Sequence, residues 1–206
     1  MRKFIGILCV ILGCACIISA ICFVGYNYYE ADLAYMYSDD IMKDVKKQMQ
    51  TAEDTDDGQD VLPEGIYPGT ALKEMATVSV DGDECIGILS IPAIALELPV
   101  LTDWSYAKLK KAPCHYYGSY LEKDFVIAGH NFSTHFGGLY ELQTGDIVKF
   151  TDVEGNVYVY EVVLIETLPA AATEEMIMAG FDLSLYTCTL DGGSRVTVRC
   201  NTLSSK

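Results

Sequence analysis

Residues 4–29 carry no charged side chain, and this uncharged run of 26 residues constrains the fold more than any other feature of the chain. An α-helix rises about 1.5 Å per residue, so roughly 21 residues cross a hydrocarbon layer ~30 Å thick. Arg2 and Lys3 precede the run, and basic residues mark the cytoplasmic end of a membrane helix. The run predicts a single-pass signal-anchor with a cytoplasmic N-terminus and the remaining chain outside the cell.

A cleaved signal peptide is the alternative, because the small residues Ala15, Ser19 and Ala20 occur inside the run. The run is longer than the apolar core of an ordinary signal peptide, which favours the uncleaved anchor.

Two regions of different composition follow the anchor. Residues 30–50 place apolar side chains at approximately helical spacing, which predicts a stalk helix able to pack on the next domain. Residues 51–84 hold ten acidic residues against one basic residue, Lys73, a balance typical of a solvated linker. We therefore expect a cytoplasmic end and anchor (1–29), a stalk helix with an acidic linker (30–83), and a folded domain (84–206).

The folded domain consists of short runs of β-forming residues separated by turns. The predicted strands are 86–90, 96–100, 114–117, 125–128, 146–151, 156–167, 183–188 and 195–200. Short helical turns are predicted at 136–143 and 171–178. Eight strands with few helices indicate a mainly β protein, folded as a closed or nearly closed barrel.

The last two predicted strands form an antiparallel hairpin around the turn at residues 191–193. If Cys188 faces Arg195 across the hairpin, Ser184 faces Arg199, and the opposite face is apolar enough for a core. Arg199 shares the face of Cys188 but lies four residues further along, which is roughly 13 Å. Arg195 is therefore the predicted neighbour of Cys188.

A thiol beside a fixed positive charge is typical of a nucleophilic cysteine, because the charge favours the thiolate and can hold an acyl oxygen. A short apolar strand at 125–128 ends in Gly129 and His130, where a side chain can project into a cleft. Cys188, His130 and Arg195 thus form a candidate nucleophile, proton-transfer group and oxyanion stabiliser. The alternative is that Cys188 is a small buried hydrophobic residue.

Two other histidines compete for the role of His130. His135 lies in a loop with no strand to orient it, and His115 precedes a pair of tyrosines. We therefore select His130.

Four motifs resemble those of the sortases, membrane-anchored cysteine transpeptidases of the Gram-positive cell surface. Residues 184–188 (SLYTC) match the T-L-x-T-C signature with Ser in place of the first Thr, and residues 128–131 (AGHN) match the histidine motif. Arg195 stands at the start of the next strand, as the family's arginine does. Residues 87–92 (GILSIP) and 98–100 (LPV) match the opening strand pair.

The resemblance implies an eight-stranded sortase-type β-barrel whose catalytic residues are Cys188, His130 and Arg195. It also implies a groove for the substrate peptide, walled by the connection that precedes the hairpin. The predicted substrate-binding residues are Thr187, Asn131, Ile177, Met178 and Phe181; for the last three, packing of a helix onto the barrel is the alternative.

The function implied by the resemblance is cleavage of a C-terminal sorting motif through a thioester acyl-enzyme. The acyl group is then transferred to an amine of a cell-wall precursor or a pilin. A hydrolytic extracellular cysteine protease and a non-catalytic surface-binding barrel are the alternatives. The sortase class stays open, because the Gly-His-Asn motif is similar to class B while the compact hairpin and tyrosine-rich strands are similar to pilin-type and class D enzymes.

Several other kinds of site are not expected. No C-x-x-C or H-x-x-x-H spacing occurs, so we predict neither a metal site nor a cofactor. Residues 85–206 hold fourteen acidic and eight basic residues, and this net negative charge argues against nucleic acid as a partner. Whether any two of Cys85, Cys114 and Cys200 form a disulfide is left open.

Overall fold

A computed structural model of the protein describes residues 2–55 and 75–203. The first element is a single helix, α1 (Arg2–Thr55), which runs without a break through the predicted anchor and the predicted stalk. Its N-terminal part is long and apolar enough to cross a membrane, and none of its most apolar stretch is buried against the rest of the described protein. Most of the predicted acidic linker, residues 56–74, lies outside the described residues.

The second half of α1 packs on the folded domain, as predicted for the stalk. Ile41, Met42 and Val45 are buried in a cluster with residues of the first strands. Polar contacts extend this joint at both ends, since Thr134 Oγ1 donates to the carbonyl of Ala31 and the amide of Gln48 to the carbonyl of Ser79. Further cross-contacts join Lys46 Nζ to Glu97 Oε2 at 2.9 Å and Ser38 Oγ to the Lys111 carbonyl at 2.6 Å.

The described part of the folded domain contains nine strands. They are β1 (Val78–Val80), β2 (Asp83–Ile91), β3 (Leu96–Leu101), β4 (Cys114–Tyr117), β5 (Phe125–Ala128), β6 (Ile147–Asp152), β7 (Val157–Pro169), β8 (Leu183–Cys188) and β9 (Ser194–Thr202). Two short helices, α2 (Tyr106–Leu109) and α3 (Thr173–Ile177), and two 3₁₀ turns, Pro92–Ile94 and Phe136–Glu141, connect them.

Eight of these strands close into a barrel. Their order is β2-β3-β4-β5-β8-β9-β7-β6, and β6 pairs back onto β2 between Gly87↔Asp152 and Ser90↔Lys149. Large side chains fill the interior, among them Leu89, Phe125 and Phe150, all with no exposed area. The predicted eight-stranded barrel with short helices is therefore confirmed.

The ninth strand, β1, lies in a stretch that the sequence predicted as linker, and that part of the prediction is wrong. Val78 and Val80 alternate with a polar residue, and the turn at Asp81 and Gly82 has positive φ angles of 48° and 82°. This turn lets β1 pair with the start of β2, and Val80 is buried in the joint with α1. The high density of acidic residues around this short hairpin led to its prediction as linker.

Candidate active site

The hairpin of β8 and β9 has the register predicted from the sequence. Cys188 pairs with Arg195 and Ser184 with Arg199. Alternation along each strand turns Leu185 into the barrel core, where it has no exposed area, while Cys188 at the end of β8 is exposed. The thiol and a guanidinium therefore lie on neighbouring strands, next to the turn that closes the hairpin.

The two arginines of β9 have different environments. Arg199 is 1% exposed, and its Nε donates to Glu166 Oε1 at 2.8 Å while Nη1 donates to Ser184 Oγ at 2.9 Å. It also donates to the carbonyls of Glu175 and Met176, so it joins three elements as an internal brace. A side chain held in this way is not available to a substrate.

Arg195 is half-buried at the start of β9. Its Nη1 donates to the carbonyls of Gly192 at 3.2 Å and Ser194 at 3.0 Å, both within its own turn. The guanidinium has five N–H donors, and Arg195 lines a pocket together with Tyr186 and Trp104. Arg195 is thus the arginine of β9 that a ligand can reach.

His130 follows β5, which pairs with the opposite edge of β8 from β9. β5 runs parallel to β8 with Ala128 opposite Tyr186, and the Gly129 N–H donates to the Tyr186 carbonyl at 3.0 Å. His130 follows Ala128 by two residues, as Cys188 follows Tyr186 on the adjacent strand, and neighbouring strands lie about 4.8 Å apart. β8 therefore presents Cys188 between the exit of β5 and the start of β9.

The environment of His130 favours its neutral form. Its ring stacks on Phe132 with 3.7 Å between centroids, and its Nδ1 is buried without a hydrogen-bond partner among the described residues. Burial lowers the pKa of His130, the charge of Lys110 lowers it further, and Glu30 acts in the opposite direction. A neutral imidazole can accept a proton from a thiol or an amine.

The other two histidines have structural partners. His135 is 1% exposed, its Nε2 lies 3.1 Å from Ser38 Oγ on α1, and burial lowers its pKa to about 4. His115 has its ring nitrogens against the carbonyls of Thr102 and Gly118, at 3.3 and 2.8 Å. His115 lies within β4 and His135 directly before the turn Phe136–Glu141, so neither follows the end of β5 as His130 does.

Two concave regions flank the end of β8. The first, here called the anchor-side cleft, has a volume of about 580 Å³ and lies between α1 and the loop that follows β5. Its lining consists of Phe23, Val24, Asn27, Tyr28 and Ala31 from α1, with residues 130–133 and Leu190 opposite.

The second region, here called the aromatic pocket, has a volume of about 180 Å³ and includes Arg195. Tyr186 and Tyr116 form one wall, with ring centroids 5.4 Å apart, and Trp104 contacts Tyr116 at 5.9 Å. The end of β7 and the connection to β8 form the other wall through Pro169, Ala170, Ala172, Thr173 and Met176. Sequence reasoning missed Trp104 because the segment between β3 and β4, in which it lies, has no motif that links it to the site.

The predicted substrate-binding residues are not all in one place. Asn131 lines the anchor-side cleft. Thr187 is buried on the core side of β8, and its Oγ1 has no hydrogen-bond partner among the described residues. In the connection, Met178 is 65% exposed and Phe181 packs on the guanidinium of Arg199 at 5.5 Å. Ile177 is half-buried, and the connection residue that lines the aromatic pocket is its neighbour Met176.

The remaining cysteines of the folded domain are buried free thiols. Burial raises the pKa of Cys85 to about 11 and those of Cys114 and Cys200 to about 12, so all three stay protonated. Cys188 is the exposed cysteine of the barrel. Among the described residues, no cluster of histidine, cysteine or acidic side chains could hold a metal ion.

Known proteins are similar to this chain in sequence and in fold. The family model described as "Sortase domain" matches residues 89–203. A curated relative, Sortase A of Bacillus anthracis, is 31% identical over 123 residues, which are 57% of this chain and 58% of the relative. The chain therefore spans less than two thirds of that relative.

Solved structures agree at the level of the fold. The Sortase D5 transpeptidase of Clostridium perfringens covers 84% of this chain and 99% of its own, with a TM-score of 0.58 and 18% identity. Sortase C1 from Streptococcus agalactiae covers 62% of this chain and 72% of its own, with a TM-score of 0.54 and 26% identity. Because the family model spans more than half of the 206 residues, and because the barrel has the same fold as these structures, the chain belongs to the sortase family.

Proposed function

We propose that this protein is a membrane-anchored cysteine transpeptidase with Cys188 as the nucleophile, His130 as the proton-transfer group and Arg195 as the oxyanion stabiliser. One observation supports this assignment above all others: β8 ends at an exposed thiol, with His130 following its neighbour β5 and Arg195 opening its neighbour β9. The order β5-β8-β9 in the sheet, with Cys188 on the middle strand, supports the proposal.

In the first half of the reaction, the sulfur of Cys188 attacks the carbonyl carbon of a peptide bond in a sorting peptide. Arg195 and nearby backbone N–H groups stabilise the charge on the carbonyl oxygen. His130 takes the proton of the Cys188 thiol and gives it to the leaving amine as the C–N bond breaks, and a thioester joins the peptide to Cys188.

In the second half, a primary amine from a cell-wall precursor or a pilin attacks the thioester. His130 takes the proton of the incoming amine, the new amide forms, and the Cys188 thiol is regenerated. The substrate peptide lies in the aromatic pocket, where Arg195 and Tyr186 meet the wall formed by Met176. Asn131 contacts the acceptor side, while Thr187 supports β8 from within the barrel.

The same proposal gives the protein its location. α1 crosses the cell membrane once, with Arg2 and Lys3 in the cytoplasm and the barrel outside. Both halves of the reaction then occur at the outer surface, where anchored proteins and their acceptors meet.

The test uses the full chain in detergent micelles and a panel of synthetic sorting peptides, with and without an added primary amine. We expect intact-protein mass spectrometry to detect an acyl adduct on Cys188, and the released product to carry the amine. Products ending in a free carboxylate despite saturating amine would instead identify a protease.

Three variants separate an enzyme from a binding barrel. Cys188→Ala should remove the adduct and all turnover, while Cys16→Ala, which deletes an exposed thiol of α1, should change neither. Arg195→Gln should lower kcat on the order of 10²-fold to 10³-fold, as loss of an oxyanion donor does. Unchanged product formation by Cys188→Ala would contradict the mechanism.

A further inference from the structure

The anchor-side cleft has an unusual composition for a cavity beside a catalytic residue, because one of its walls belongs to the membrane helix. Phe23 and Val24 are part of the uncharged run, and they line the same cavity as His130. The opposite wall holds Phe132 and Leu190. Leu190 is 98% exposed at the tip of the β8–β9 turn, so the described protein leaves this large apolar side chain uncovered.

The position of the bilayer along α1 follows from length and charge. Twenty helical residues beginning at Phe4 span about 30 Å, which ends the hydrocarbon layer near Phe23. Moving the layer outward is possible only as far as Tyr29, because Glu30 is the first charged residue after the run. Every placement in this interval keeps Phe23 and Val24 in the hydrocarbon or at its boundary.

The cleft must therefore open at the level of the lipid headgroups or just below it. Tyr26, Tyr28 and Tyr29 surround the same level of α1, where aromatic residues are favoured at the membrane interface. The first ion pair above it joins Glu30 to Lys110 at 2.7 Å and marks the polar side of the boundary. A cavity with apolar walls at this depth is filled more favourably by hydrocarbon than by water.

We propose that lipid of the outer leaflet occupies the anchor-side cleft, with acyl-chain carbon against Phe132 and Leu190. The β8–β9 turn then dips into the membrane surface beside α1, and the catalytic end of the barrel faces the bilayer. This inference rests on the proposed membrane anchoring and not on the chemistry assigned to Cys188. It links the bilayer to catalysis through Phe132, which stacks directly on His130.

The test places single tryptophans in the full chain and measures their quenching by lipids brominated high on the acyl chain. Trp104 is the only tryptophan, so Trp104→Phe gives a clean background. Leu190→Trp reports on the turn, Ile11→Trp on the middle of the anchor, and Ser79→Trp on the far end of the joint. Ser79 contacts Gln48, which lies 18 residues and about 27 Å along α1 from Glu30.

In reconstituted nanodiscs we expect strong quenching of Leu190→Trp and Ile11→Trp, and none of Ser79→Trp. Phe132→Trp, which reports on the interior of the cleft, should also be quenched if lipid enters it. Circular dichroism in each variant checks that the fold is kept, and the full exposure of Leu190 makes that substitution undemanding.

Quenching of Ile11→Trp without quenching of Leu190→Trp would overturn the inference while leaving the anchor intact. A blue-shifted but unquenched Leu190→Trp would overturn it too, because it would show cover by protein, from α1 or a second copy of the chain. An unquenched Ile11→Trp would remove the membrane anchor on which the inference depends. None of these outcomes depends on turnover, so failure of the transpeptidase proposal is scored separately.

Discussion

The charge state of His130 depends on two side chains that come from distant parts of the sequence. Lys110 lies after α2 and Glu30 lies on α1, and the two form an ion pair at 2.7 Å. Their effects on the pKa of His130 are opposite, since Lys110 lowers it and Glu30 raises it. The pair therefore adjusts the pKa of His130, the proposed proton-transfer group, through space.

Replacing either partner should move the pKa of His130 in a predictable direction. Lys110→Met removes a positive charge and leaves Glu30 unopposed, so the pKa of His130 should rise. Glu30→Gln removes the negative charge, so the pKa should fall. An NMR titration of the His130 ring in micelles measures both shifts, and Lys123→Met, whose partner is Asp182, is the control. Shifts of the same sign in the two variants would contradict this account.

At the scale of elements, the loop that carries His130 is held together by its own backbone hydrogen bonds. It folds back on itself, with the Phe136 N–H donating to the His130 carbonyl at 3.0 Å and the Gly137 N–H to the Phe132 carbonyl at 2.9 Å. A Cβ on Gly129 would lie 2.4 Å from two ring carbons of Phe136, which is fully buried. Glycine at this position is what allows the loop to seal the barrel and still present His130.

Gly129→Ala should therefore displace either Phe136 or the backbone of His130. Overpacking of this kind costs roughly 1–3 kcal/mol of stability, and a misplacement of about 1 Å at a catalytic group can cost ~10²-fold in rate. Gly138→Ala is the matched control, since its Cβ would meet only Ile94 Cδ1 at 3.6 Å, an ordinary contact. Thermal unfolding and kcat/KM with a sorting peptide test both variants, and full activity of Gly129→Ala would refute the argument.

Much of the element structure follows from local sequence. β4, β5 and β8 have the predicted bounds, because each is a short run of apolar or aromatic residues that ends in a polar residue or a glycine. The pairing of Cys188 with Arg195 follows from the turn between them, since a hairpin of fixed length allows few registers.

The parts that sequence could not supply are long-range. The parallel pairing of β5 with β8, on which the proposed partnership of His130 and Cys188 depends, joins strands separated in the chain by two others and leaves no local pattern. The aromatic pocket likewise depends on Trp104 meeting Tyr116 and Tyr186 across three elements. The choice of Ile177 and Met178 over Met176 shows the same limit, since which side of a five-residue helix faces a groove depends on the barrel beneath it.

On the scale of the whole molecule, the joint between α1 and the barrel contains a buried titratable group. Ser38 Oγ uses its single proton to donate to the Lys111 carbonyl, so it accepts from Nε2–H of His135. Burial lowers the pKa of His135 to about 4 from 6.5, and the nearby His130 also lowers it. The joint is therefore built around a neutral imidazole.

Acid should weaken this joint. Between pH 6.5 and about 4, the imidazole of His135 binds a proton in the unfolded chain but not in the folded one, so the free energy of unfolding falls as the pH falls. The full loss is roughly 3 kcal/mol, reached near pH 4, and no loss from this group occurs above about pH 7.

Denaturant unfolding in micelles at a series of pH values measures this effect, and His135→Gln should flatten the curve over the same interval. His130→Gln is the comparison, because burial also lowers the pKa of His130, so that this residue too lowers the free energy of unfolding as the pH falls. Equal pH dependence in the native protein and His135→Gln would show that the joint is held in another way.

The unbroken course of α1 also fixes the distance between the membrane and the barrel. Residues 2–55 contain no proline, and the same helix that leaves the bilayer is pinned to the barrel from Ala31 to Gln48. Each residue removed from the apolar part of α1 would bring the Cys188 thiol about 1.5 Å closer to the membrane. Removal of a full turn would move the charges of Glu30 and Lys110 toward the hydrocarbon layer, where charge is costly. Under the proposed function, the length of the anchor therefore sets the distance from the membrane at which a target protein has to present its scissile bond.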